Sequence, residues 1–168
     1  MKFVVRLPPG DGEDNNNTIF FVIELSSRKE LPHSTYTFLT LVESNLYNDG
    51  VSFLSAGDDG SSLKIESSHS TDGVRLEQKL KPLGLTGGSS LSFVEPTTSG
   101  EALPCSEYSF GFVHRGPELN LFLSSDNETT DCFAHVIRGQ EDLKKIKSIL
   151  LENRQPLEII SAKHLRVD

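Results

Sequence analysis

The chain has 168 residues, a formal net charge of -8, a pI near 5.1 and a hydrophobic content of 36%. That length suits one domain able to bury a core without metal or disulfide support. The acidic balance argues against a phosphate-binding role, because affinity for nucleic-acid backbones needs clustered Lys and Arg. No apolar run approaches the ~18 residues of a membrane helix.

Met1 to Leu7 reads as a first strand, with Phe3, Val5 and Leu7 on one face. It is too short and charged for a signal peptide. Pro8 to Asn17 reads as a polar surface loop. Thr18 to Leu25 is dense in β-branched and aromatic residues, with Phe21, Ile23 and Leu25 alternating on one face. Phe20, Val22 and Glu24 lie on the other. Pro32 suits a helix entry, and Phe38, Leu39, Val42 and Leu46 follow at helical spacing. The threonines at 35, 37 and 40 are poor helix formers, so tertiary packing must hold this helix. Asn48-Asp49-Gly50 signals a turn, and Val51 to Leu54 begins a strand.

Ser61 to Ser68 alternates in short strand fashion around Leu63 and Ile65. Residues 69 to 100 are punctuated by glycines and prolines. Gly84, Gly87 and Gly88 are not followed by Gly-Lys-Ser/Thr, so they read as turn chemistry rather than a phosphate loop. Gln140 to Asn153 is the clearest helix, with Leu143, Ile146 and Leu150 on one stripe. Leu157 to Ala162 closes the chain as a strand.

The five histidines are scattered and no metal-ligand cluster is visible. Cys105 and Cys132 read as two buried thiols, with a disulfide open only to an oxidising compartment. Two glycosylation sequons, at Asn16 and Asn127, raise a lumenal location slightly. The compartment stays open between cytoplasmic and lumenal.

Glu24-Leu25, Pro32, Tyr36-Thr37-Phe38, Tyr47-Asn48-Asp49-Gly50 and Phe53-Leu54-Ser55 form an ordered series. It resembles the start of the cyclophilins, the β-barrel family of peptidyl-prolyl isomerases. Gly116-Pro117 with Leu119-Asn-Leu-Phe-Leu123 is similar to a second family segment. Phe133, Val136 and Gly139 are similar to a third. The resemblance spans roughly residues 1 to 167. It implies a mainly β chain: one domain over 1-168, a closed eight-stranded antiparallel barrel capped by two α-helices.

The resemblance also implies the site. The family's catalytic arginine falls on Ser55. The peptide-binding positions fall on Phe53, Leu63, Glu66, Val113, His114, Asn120, Phe122 and Thr130. Lys64 also replaces an apolar floor residue with charge. Phe122, Val113 and Leu63 keep an apolar floor. Phe122 reads equally as pocket floor or as barrel core. Arg115 reads as a solvated strand-end side chain, its sharper alternative being a substitute for the missing guanidinium. His114 and Glu66 read as surface or packed polar residues beside sharper roles in ligand binding. The expected function is a protein-interaction or scaffold module with a degenerate proline pocket and little or no isomerase activity. The alternative is an active isomerase serving protein folding. No cofactor is expected. The expected partner is a protein or proline-containing peptide, not nucleic acid or a membrane. The domain is expected to be monomeric and to be able to sit within a longer protein.

Overall fold

A computed structural model describes residues 1–8, 17–26, 32–48, 52–57, 60–67, 105–112, 118–125 and 132–165. The strands are β1 (Lys2–Arg6), β2 (Thr18–Leu25), β3 (Ser52–Ala56), β4 (Ser62–Ser67), β5 (Ser109–Phe112), β6 (Leu119–Phe122), β7 (Cys132–Arg138) and β8 (Leu157–Lys163). The helices are α1 (Pro32–Glu43) and α2 (Gln140–Asn153). Every strand pairs antiparallel with its neighbours, in the order β1-β2-β7-β5-β6-β4-β3-β8. Pairing of β1 with β8 closes the barrel, with Phe3 opposite Ala162. The expected fold class, a closed eight-stranded antiparallel barrel with two helices, is the observed one.

The barrel closes around rings. Phe3, Phe21, Phe38, Phe110 and Phe133 are fully buried. Phe38, sent in from α1, reaches Phe133 at 5.2 Å, Phe110 at 5.8 Å and Phe3 at 6.3 Å between centroids. Such pairs add about 0.5–1.5 kcal/mol each beyond their buried area. From α2, Leu143, Ile146 and Leu150 join the same cluster, as their spacing predicts. Helix α2 packs on β2 and β3. Leu25, on the face expected inside, is half-buried, as is Phe53.

Packing, not propensity, holds α1. The hydroxyls of Thr35 and Thr37 are buried without a hydrogen-bond partner, and Thr40 donates to the Tyr36 carbonyl at 2.9 Å. Its end is locally encoded. Asn45 adopts φ +58, its N–H donates to the Val42 carbonyl, and the Leu46 N–H donates to Leu41. That double bond is a Schellman cap, with buried Leu46 as its apolar contact. The chain then delivers Tyr47 to the core, where burial pushes its hydroxyl well above the ordinary phenol range. The Ser52 hydroxyl donates to the Leu46 carbonyl at 2.6 Å, and the Ala162 N–H donates to Asn48 Oδ1 at 3.0 Å. These bonds fix the start of β3 against the end of α1 and against β8.

At the other helix, Gly139 precedes α2 with φ +87 and stands against the backbone of β2. Arg154 ends α2 in the left-handed conformation, its N–H donating to the Leu150 carbonyl at 2.9 Å. Pro156 follows shortly, as is common after a helix end.

Cys105 and Cys132 are bridged, with Cα atoms 5.4 Å apart. This corrects the expectation of two free thiols. The cause is topological: β7 pairs with β5, and that pairing carries Cys132 to the chain that enters β5.

Candidate functional site

Four strands build the outward wall that carries the sequence-derived positions. Ser55 of β3 stands opposite Lys64 of β4, Lys64 opposite Asn120 of β6, and Asn120 opposite Gly111 of β5. Gly111 stands opposite Cys132 of β7. The neighbouring positions Leu54, Leu63, Leu121 and Phe110 are fully buried. Alternation therefore turns the row from Ser55 to Gly111 away from the barrel interior, and a register shift between Phe110 and Gly111 brings Cys132 opposite the end of that row.

That parity assigns each expected residue. Ser55 is half-buried on the wall, and Glu66 is exposed two positions beyond Lys64. Phe53 is half-buried between Glu66 and Glu158 on the strands either side. Leu63 is a correction: it is 0% exposed within the barrel core, so it is not a pocket floor. Its strand presents Lys64 outward in its place. Asn120 lies on the wall with its Oδ1 buried and unpaired. An acceptor in that state costs about 1–3 kcal/mol and favours an incoming N–H. Val113, His114, Arg115 and Thr130 lie outside the described residues, as do the sequon asparagines Asn16 and Asn127.

Phe122 resolves differently from either expectation. It is 6% exposed, yet it is not part of the barrel core. It shares a second, small cluster with Cys105 and Cys132. Opposite Ser62, two residues from Asn120, it belongs to the outward parity of β6. The disulfide thus shares a buried cluster with an aromatic ring on the outer wall.

Beside Ser55 the wall opens into a groove of about 490 Å³. Ser55 and Glu66 line one side; Leu150, Leu151, Arg154 and Pro156 line the other. The groove joins the β3–β4 hairpin to the C-terminal end of α2. Sequence reasoning did not single out Arg154. The available signal was the Asn-Arg-Gln-Pro stretch at 153–156, which marks a helix end beside a strand start.

The chemistry on this wall is hydrogen bonding and ionic contact. A hydroxyl, an ammonium, a carboxamide, a carboxylate and a guanidinium are brought to one surface by Ser55, Lys64, Asn120, Glu66 and Arg154. Among the described residues no group of three or more His, Cys, Asp or Glu side chains could hold a metal ion, and no helix is long and apolar enough to cross a membrane. No family model, no curated protein and no solved structure matches the chain.

Proposed function

We propose that the domain is a cyclophilin-like interaction or scaffold module with little or no prolyl isomerase activity. The observation that carries this reading is the state of Phe122. At the position matched to the base of a proline pocket, the ring is 6% exposed, packed in one buried cluster with the Cys105–Cys132 bridge, and has no open face for a substrate. Ser55 supports it. Isomerisation of a prolyl bond must cross a barrier of about 20 kcal/mol set by amide resonance. A preorganised donor aimed at the twisting amide lowers that barrier, and losing one costs about 10²–10³ in rate by analogy with oxyanion holes. The Ser55 hydroxyl is uncharged and too short to replace a guanidinium. A protein or extended peptide is the partner class that a broad, mixed polar wall suits.

A second reading has one observation in its favour. Arg154 lines the same groove as Ser55 and Glu66. A guanidinium there is a candidate donor for an active isomerase.

The test is a proline-peptide isomerisation assay on the wild-type chain, Ser55→Arg and Arg154→Ala. Background-level turnover in wild type is the expected result. Acceleration that disappears in Arg154→Ala selects the second reading. Acceleration that survives in Arg154→Ala overturns the first reading and removes Arg154 as the donor.

A further inference from the structure

The Cys105–Cys132 bridge lies against the barrel's outer wall rather than in its core. Cys132 begins β7 in register with Gly111. Gly111 adds no side chain to the wall and faces Asn120, whose Oδ1 is buried and unpaired. Phe122 is two residues further along β6, and the two half-cystines are its companions in one buried cluster. An aromatic ring with outward parity is ordinarily wet. Here it is 6% exposed and packs with the two half-cystines. Beside it waits an acceptor with no donor.

We propose that this part of the wall is an apolar binding recess, shut by the intact bridge and opened by its reduction. The proposal rests on the outer-wall reading above and adds its control. A dithiol reductant attacks one sulfur, the S–S bond takes up two electrons, and two protons complete the thiols. The reductant leaves as a disulfide. With two cysteines in the chain, nothing covalent then ties Cys105 to β7. The turn into β5 keeps its own bonds, because the Ser106 N–H donates to Ser109 Oγ at 2.9 Å. In the proposed opening Cys105 moves away from β7 while β5 holds its place. The occupant is an extended peptide segment. An apolar side chain covers Phe122, and a main-chain N–H reaches Asn120 Oδ1. Cys105 and Cys132 are 3% and 6% exposed, so the shut form is the resting one and opening needs a strong reductant.

The experiment uses the full chain in three forms: oxidised, reduced, and Cys105→Ala/Cys132→Ala as a permanently open form. The probes are anilinonaphthalene sulfonate and an apolar peptide without proline. Hydrogen exchange on each form reports whether the barrel persists. The open forms should bind both probes about tenfold or more tighter than the oxidised form, as uncovering one aromatic anchor supplies. Phe122→Ser in the open background should abolish that gain. Exchange should rise near residues 105–112 and 118–125 while β1, β2 and β8 stay protected. Equal binding by oxidised and open forms overturns the inference. So does loss of protection in β1, β2 and β8, because the bridge is then a staple for the whole barrel. Failure of every open form to bind removes the recess and leaves the Ser55 argument standing.

Discussion

Gly139 offers a measurement of how tightly α2 is seated on the barrel. Two costs meet there. Its φ of +87 belongs to a region that costs an ordinary residue about 1–2 kcal/mol. A Cβ at this position would also lie 2.5 Å from the Phe20 carbonyl oxygen and 2.8 Å from the Phe21 Cα. Both are backbone atoms of β2, a strand paired on both sides, so they do not yield by a rotamer change. Overpacking of this kind typically costs about 1–3 kcal/mol. Gly139→Ala should therefore lose about 4 kcal/mol, which lowers Tm by roughly 8–16 °C in a chain of this length. Gly60 separates the two costs. It has a similar φ of +69, but its nearest contacts are Lys147 Cε at 3.7 Å and the ends of Leu151 at 3.9 Å. Gly60→Ala should cost only the backbone part, about 1–2 kcal/mol. Asparagine tolerates positive φ well. Gly60→Asn should be near wild type, whereas Gly139→Asn should remain severe. Thermal melts by circular dichroism on the four variants give the answer. Equal losses for Gly60→Asn and Gly139→Asn, or a wild-type melt for Gly139→Asn, would refute the close-approach argument.

Two further outcomes follow from the core and the bridge. Closing a loop between residues 27 apart is worth about 3–4 kcal/mol in the chain-entropy account, so Cys105→Ala/Cys132→Ala should melt roughly 6–16 °C lower than the oxidised chain; a melt within error of wild type contradicts it. Burial raises the Tyr47 pKa, so the folded state keeps the proton longer than the unfolded chain, whose phenol ionises near about 10. Stability is then complete below that value and falls as pH rises above it. One of the three tyrosines should gain its tyrosinate absorbance only together with alkaline unfolding. Reversible titration of all three in the folded protein refutes this.

The barrel was legible where periodicity speaks. Alternation through Phe21 and Ile23, and the Leu143, Ile146, Leu150 stripe, each named a buried face that the structure repeats. The wall was less legible, because one residue of register on β4 exchanges Leu63 for Lys64. No local signal near Ser61 fixes that register; pairing with β3 and β6 does. The bridge was invisible for a similar reason. Cys105 and Cys132 meet through β5–β7 pairing, a contact between distant segments. Asn45 gives a weaker signal than Asn48-Asp49-Gly50, although the cap itself lies three residues before Asn48. Gly139 could be matched as part of a pattern, but only the nearness of Phe20 and Phe21 supplies its physical reason. The groove at Arg154 is tertiary throughout, assembled from a hairpin, a helix end and the start of β8.

Closure of the sheet has a consequence for how this domain can be recognised. Each strand already has a hydrogen-bonded neighbour on both sides. A partner that docks by adding its own strand needs a free row of amides and carbonyls, and a closed barrel offers none. Among the described strands the same property leaves no edge for association between copies. On the interaction reading proposed above, specificity then resides in side chains standing on the wall, and single substitutions at Lys64, Glu66 or Arg154 should change partner binding without disturbing the ladder beneath.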